Sequence, residues 1–473
     1  MFEYAVVGSG IGGSSMAALL NSKGYKVALF EKESYLGGCS STFEHKKFFY
    51  NTGATTFAGY EDGFVLKEIF DEIGFSPNLI QTDPSITILH NGKVTPRYRD
   101  FNKFMDPLKK NYPHPKNLEF WRLIHHINAE FYKMRGHYYS NSNFFSKLRS
   151  LCSFLPLMFK FQKYLRVSAH TFIKDFLEGI DDNYLDFLQS QILIVAQASS
   201  KEVNFFTAAL ALGYTFNKNY YGVGGLSKVF DGLTKNIEHL YKQSAIKKIK
   251  RFCDHFELYT GEEVYRAKKI ILNSTIYDSA KLFEEPQIKH YYKKYEKLNN
   301  FQSSFMIYLT IKSDKKFDHH YQIIKDKVFL HTLSKALFVS FSDQSDNVLA
   351  KEGFYSITAS IHTDLRFWDD KRGYKQQKKE LQDILMQTIM RDLDIQKDEI
   401  VDCFSATPKT FNRYINRSQL GGNPITMKNF LPFLPSNNSS IKGIYHVGDS
   451  VYAAQGWPGV MLGVKNLKKL LNV

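Results

Sequence analysis

Phe2-Glu3-Tyr4-Ala5-Val6-Val7-Gly8-Ser9-Gly10-Ile11-Gly12-Gly13-Ser14-Ser15-Met16-Ala17-Ala18-Leu19-Leu20 opens the chain, and its reading decides the fold. Tyr4-Ala5-Val6-Val7 is an apolar run of strand length, and the residues after Gly13 turn small and then apolar, as a buried helix does. Gly8 permits a tight turn, Gly10 lets backbone approach a ligand, and Gly13 lets the helix lie close on the strand. Ile11 and Gly12 fall in the turn, where a helix N-terminus offers unpaired N–H groups and the positive end of its dipole to a phosphate. A second apolar strand, Lys26-Val27-Ala28-Leu29-Phe30, ends on Glu31-Lys32. Glu31 lies eighteen residues beyond Gly13, where a dinucleotide-binding βαβ unit places its ribose-binding acid. A glycine turn of purely structural meaning has no need of that acid in register.

The residues beyond Glu31 narrow the ligand. Gly37-Gly38-Cys39 stands just past the acid, and such a glycine pair lets backbone pass close to a ligand in a way NAD enzymes do not generally need. Near the C-terminus, Gly443-Ile444-Tyr445-His446-Val447-Gly448-Asp449-Ser450 is another short apolar strand ending in Gly-Asp. Gln455-Gly456-Trp457-Pro458-Gly459-Val460 and a helix come after it. With Thr52-Gly53-Ala54-Thr55-Thr56-Phe57 and Gly224-Gly225, these segments make the chain resemble the FAD-dependent oxidoreductases of the phytoene desaturase, carotenoid isomerase and retinol saturase family, within the amine-oxidase-like flavoproteins. The resemblance spans both ends and a central segment, while the middle matches the family in length and order rather than in motif.

The resemblance implies an α/β fold, a Rossmann-like FAD-binding domain with a discontinuous α+β substrate domain. The FAD domain is expected over 1–75, 215–290 and 425–473, and the substrate or membrane-associating domain over 76–214 and 291–424. Expected cofactor residues are Gly8, Gly10, Ile11, Gly12, Gly13, Glu31, Lys32, Gly37, Gly38, Cys39, Gly53, Ala54, Thr55, Ile246, Gly448, Asp449, Gly456, Trp457 and Val460. Ile246 enters through its backbone, beside the adenine. Cys39 stands where the desaturases usually carry an arginine after Gly-Gly, which predicts the loss of a positive charge near the pyrophosphate. The final helix should point its N-terminus near the flavin pyrimidine, where negative charge gathers on reduction. Chemistry that uses reduced FAD is therefore expected, isomerising a polyene or saturating one of its double bonds. Trp457 and Tyr452 are candidates for an aromatic wall, Trp457 equally for a packing residue, and no side chain is nominated as acid or base.

Length and composition agree. A chain of 473 residues with 43% apolar residues can fill two cores. Cys39, Cys152, Cys253 and Cys403 are scattered, with no C-x-x-C, which excludes a zinc knuckle or a disulfide scaffold and suits a reducing compartment. The chain starts directly on its first strand, which predicts no signal peptide, and no apolar run reaches the roughly eighteen residues of a membrane span. A cytoplasmic location is expected. The net charge of +15 is spread along a chain rich in Lys, Asn, Ile, Phe and Tyr. That profile fits genomic base bias and shows no nucleic-acid module.

One basic tract stands out. Phe144 to Lys174 carries Lys147, Arg149, Lys160, Lys163, Arg166 and Lys174, no acid, and many interleaved aromatic and aliphatic residues. It reads either as a segment lying on an anionic membrane at the inner face or as a buried helix with one solvated face, and Pro156 interrupts its amphipathic run. Elsewhere, Gly63 to Gly74 and Lys375 to Leu393 read as helices, and Asn117 to about Tyr214 is largely helical. A hairpin turns at Asn91-Gly92. Strands are expected at 245–249, 256–259 and 269–273, and at Phe305–Leu309, Val328–Leu330, Leu337–Ser340 and Phe354–Thr358. Thr407-Pro408 with Thr410 also resembles the carotenoid isomerase branch. His125-His126 and His319-His320 are tandem pairs that cannot put both rings on one face, so no metal site is expected. The function expected is oxidoreduction or isomerisation of a hydrophobic polyene, carotenoid- or retinoid-like, or a related lipid. The alternatives are an amine or porphyrinogen oxidase on the same fold, or a flavin-binding protein without turnover recruited to a membrane.

Overall fold

Val27–Phe30 carries no polar residue and is buried throughout, because the strand lies inside a sheet covered on both faces. In a computed structural model, residues 1–134, 137–261, 263–370, 372–417, 419–430, 433–452 and 456–473 are described; Gln455 of the C-terminal motif lies outside them. Phe2–Val7 runs parallel to Val27–Phe30 on one side and to Val264–Leu272 on the other, with Val7 opposite both Phe30 and Leu272. His239–Tyr241 extends the sheet beyond Phe30, and Ile444–His446 pairs with Val264–Leu272 so that His446 faces Leu272. These parallel strands thus end in one row. The next residues of four of them, Gly8, Glu31, Asn273 and Val447-Gly448, emerge together at the carboxyl edge, where open α/β sheets bind ligands. Phe256–Tyr259 and Lys248–Arg251 complete the sheet antiparallel. The helices Ile11–Ser22, Val65–Ile73, Ser227–Thr234 and Gly456–Leu471 bury Val6, Leu29 and Ile271 on one face, while Phe283, Ile288 and Tyr292 cover Ala5, Ala28 and Ile270 on the other.

A second sheet has the order Ile400–Ala406, Gln302–Lys312, Phe354–Asp364, Ala336–Phe341, His320–Ile324, Ile86–His90, Lys93–Arg97. Only its His320–Ile324 and Ile86–His90 pair is parallel. The hairpin turns as expected, with Asn91 at φ 50° and Gly92 at φ 75°. Two expectations are corrected. Val328-Phe329-Leu330 forms no strand; the strand of that region is His320–Ile324, whose buried His320 and Gln322 hide it from an apolar pattern. Ala245-Ile246-Lys247 precede their strand, which begins at Lys248, since the Ser244 N–H bonds the Glu31 carbonyl and so ties this stretch to the carboxyl edge.

Helix Tyr374–Asp392 covers one face of the second sheet through Leu381, Leu385 and Ile389. A helical layer around Phe120, Trp121, Phe187 and Phe205 packs on Ile88, Ile324 and Ala336. Arg97 locks hairpin and helices together: its guanidinium donates to Gln191, to the Leu212 carbonyl at 2.6 Å and to Thr215 at 2.8 Å, between the rings of Phe104 and Trp121. Helix Phe144–Leu165 runs on through Pro156, against expectation, and leaves helical dihedrals only at Phe161. The buried stripe Phe154, Leu157, Phe161 and Tyr164 anchors both halves, so the proline costs a hydrogen bond without ending the helix. Its other side is bare, with Phe144, Phe145 and Phe159 exposed by 73%, 80% and 71%. No helix among the described residues is long and apolar enough to cross a membrane.

Candidate active site

At the carboxyl edge the turn Gly8 to Gly13 wraps around Asn273, the residue that ends the neighbouring strand. The Gly13 N–H donates to Asn273 Oδ1 at 3.1 Å. A Cβ on Gly10 would fall 2.5 Å from Asn273 Nδ2, and one on Gly13 2.0 Å from the Gly8 carbonyl oxygen, so side chains are excluded here by close approach. Helix Ile11–Ser22 has no side-chain cap, and its first N–H groups have no helical acceptor. Bare N–H groups at a glycine cradle suit a diphosphate, and this is the test that a dinucleotide passes. The Glu31 carboxylate is held in place by Ser9, through its N–H at 3.0 Å and its hydroxyl at 2.5 Å, and by the Glu33 N–H at 3.0 Å.

Beside this turn, Gly37 takes φ 106° and Gly38 φ 56°, and the Gly37 N–H donates to Ser9 Oγ. Burial pushes the Cys39 thiol up in pKa, against the opposing field of Arg417. The expectation that Cys39 leaves this spot without a guanidinium is thereby corrected, since Arg417 fills it from a distant loop. Arg417 donates to Asp449 Oδ2 at 2.7 Å and to the Gln419 carbonyl at 2.6 Å. Burial alone would lower its pKa, but Asp449 and then Cys39 raise it. Lys32, expected at the ligand, donates to the Arg413 carbonyl at 3.0 Å and to Asn416 Oδ1 at 3.2 Å, the end of helix Pro408–Ile415.

These groups line one cavity of about 990 Å³, at the upper end of ligand sites. Every expected cofactor residue lines it except Gly13, which packs helix on strand. Ile246 stands at the Glu31 side; Gly53, Ala54 and Thr55 and the first turn of helix Gly456–Leu471 form the middle. The segment Thr55-Thr56 rests on His320, whose ring contacts the Thr55 and Thr56 hydroxyls at 3.2 and 3.1 Å. Trp457 is a packing residue at the wall: it is buried against Phe57 and Phe230 and donates its indole N–H to Ser40 at 2.9 Å. Beyond it the cavity turns apolar, lined by Phe131, Met134, Ile194, Leu210, Met306 and Phe338, with Tyr452 buried in the wall. Polar groups are interspersed there, among them Gln197, Ser304, Ser360 and His362; His362 Nε2 stands 2.8 Å from Gln197 Oε1, and its pKa is pulled down to about 4 by burial. Sequence reading missed Asn273, Arg417, His320, Gln197 and His362. Only Asn273 carried a signal, as the last residue of a strand in the dinucleotide sheet.

Residues 6–73 match the family described as an NAD(P)-binding Rossmann-like domain. Over 96% of its length the chain is 26% identical to the chloroplastic prolycopene isomerase of Daucus carota, covering 77% of that protein. A stretch of 119 residues, 24% of this chain and 19% of the relative, is 31% identical to the all-trans-retinol 13,14-reductase of Danio rerio. Among solved structures, an oxidoreductase from Methanosarcina mazei shares the fold with a TM-score of 0.65 at 18% identity, over 98% of this chain and 99% of that one. The glycine cradle and the fold together make the ligand a dinucleotide of flavin or nicotinamide type.

Proposed function

We propose that the chain is an enzyme of the FAD-dependent phytoene desaturase, carotenoid isomerase and retinol saturase group, and that it binds FAD and isomerises or saturates a polyene or related apolar lipid. The observation that carries the reading is the continuity of the cavity, polar and glycine-lined at the carboxyl edge and apolar beyond Thr55 and Trp457. FAD, when bound, supplies the redox chemistry, and the protein supplies position and exclusion of water. Residues 1–75, 215–290 and 425–473 make the main cofactor unit, and 76–214 and 291–424 form the substrate side, whose loop at Arg417 reaches the cofactor edge. Gly8 to Gly12 and Gly37-Gly38-Cys39 meet the diphosphate, Glu31 the adenosine ribose and Asp449 the ribityl-phosphate region. The apolar stretch from Phe131 to Phe338 orients a hydrocarbon chain. His362, neutral above about pH 4, and Gln197 give that chain polar neighbours. The bare face of helix Phe144–Leu165, with no acid and several cations, favours docking on an anionic inner membrane surface from which the substrate is drawn.

The purified chain is expected to carry tightly bound FAD. Flavin absorbance and release on denaturation read this directly, and a colourless protein that cannot be reconstituted with FAD contradicts it.

A further inference from the structure

We propose that Arg417 supplies the guanidinium that grips the diphosphate of the bound dinucleotide, next to Cys39. The inference rests on the dinucleotide reading of the cavity and applies to the diphosphate that FAD and NADH share.

The cations lining the cavity, among the described residues, are Lys32, Lys281, Arg417, Lys465 and Lys469. The four lysines are engaged away from the glycine turn. Lys32 caps the end of helix Pro408–Ile415, Lys281 pairs with Asp278, Lys465 pairs with Glu68, and Lys469 donates to the His137 carbonyl at the exposed rim. Arg417, its side chain 16% exposed, is the one of the five placed beside Cys39 and Asp449. Asp449 and the Gln419 carbonyl occupy two of the five N–H groups of its planar fork and fix its plane. A further neighbour is the Cys39 thiol, kept neutral by burial and a poor acceptor for a guanidinium. A charged fork is thus left short of strong acceptors at the cavity wall, where two oxygens of a diphosphate match its geometry.

The loop that carries Arg417 is fixed to the same edge as the glycine turn. Asn416, at φ 51°, closes helix Pro408–Ile415 where Lys32 clamps it. Gly422 lies so close to Asp449 that a Cβ there would meet the Asp449 carbonyl oxygen at 2.2 Å. Gly448 in turn touches the helix start, since a Cβ on Gly12 would fall 2.9 Å from the Gly448 nitrogen. Arg417, Asp449 and the bare N–H groups of the first helical turn are therefore consecutive neighbours. Lys32 acts as a positioning residue for the loop, and Asp449 as the carboxylate that keeps the buried guanidinium charged and aimed.

The test measures dissociation constants for FAD and for NADH on the full-length chain, with ligand-free melting curves, for the wild type, R417Q, R417K and C39R/R417Q. R417Q is expected to weaken the bound dinucleotide by roughly 10–100-fold, the worth of hydrogen bonds to a charged group. R417K should weaken it by roughly 3–10-fold, because it keeps the charge and loses the fork. C39R/R417Q, which returns a guanidinium from the other side, should recover most of the affinity. Wild-type affinity in R417Q overturns the proposal. So does a loss that C39R does not recover while the ligand-free melting temperature also falls, which marks a structural role. If R417Q fails to fold, undiminished affinity in R417K overturns it. A wild type that binds NADH and not FAD removes the flavin reading and leaves Arg417 to be judged on NADH; one that binds neither removes both.

Discussion

His320 carries Thr55 and Thr56 from beneath, so an imidazole buried in the second sheet supports the part of the cavity wall that these two residues form. It belongs to a group of histidines that burial holds neutral. His319 and His362 are pulled down to about 4 and His446 to about 3, all by desolvation first, and His320 lies well below its ordinary value. The unfolded chain takes up these protons near pH 6.5, the folded chain only near 4 or below. Their contribution to stability is therefore present in full above about pH 6.5 and is lost as the pH falls toward 4. Each histidine lowers stability by up to about 1.4 kcal/mol per pH unit in that window. Melting temperature is expected to fall continuously between pH 7 and 5, and a flat profile there contradicts the neutral assignment. At this scale sequence reading found the local part of the site. Gly8 to Gly12, Glu31 and Gly37 to Cys39 announce themselves because one βαβ unit supplies them within forty positions. Arg417, His320 and His362 do not, because only sheet pairing and loop packing bring them to the cavity.

Among the elements, helix Phe144–Leu165 has the clearest division of labour. Its buried stripe joins the helical layer and the wall near Tyr452, while Phe144, Phe145, Leu148, Leu151, Met158 and Phe159 face outward. Acid-free spacing made the segment legible as a basic-aromatic tract, but a proline rule taken alone broke it at the wrong place. Packing on both flanks keeps it a single element with a kink. The same physics hid the strand His320–Ile324: alternation fails as a signal where polar side chains are buried by partners. If the bare face docks on lipid, sedimentation with vesicles should require anionic headgroups and weaken with salt, since exposed charges are screened within about 10 Å at 0.1 M. Replacing Phe144, Phe145 and Phe159 by serine should reduce binding at least tenfold, given roughly 1.5–3 kcal/mol for each ring buried. Equal binding to neutral vesicles, or no effect of the substitutions, removes this role for the helix.

For the whole molecule, the decisive arrangement is that two sheets meet at one cavity. The parallel sheet brings Gly8, Glu31, Asn273 and Gly448 to its carboxyl edge; the second sheet lends Met306, Phe338 and His362 from its inner face. The first sheet was legible because parallel strands buried on both faces read as apolar runs at the two ends of the chain. The composition of the substrate side was not, since its lining residues come from helices and strands far apart in sequence. What the joined cavity does to a polyene decides the function. The measurement is product analysis after anaerobic incubation of prereduced and of oxidised protein with a panel of Z- and E-polyenes. Conversion by the reduced protein is expected, giving a shifted double-bond geometry or one double bond fewer. Conversion only by the oxidised protein, with additional conjugated double bonds in the product, would contradict this expectation.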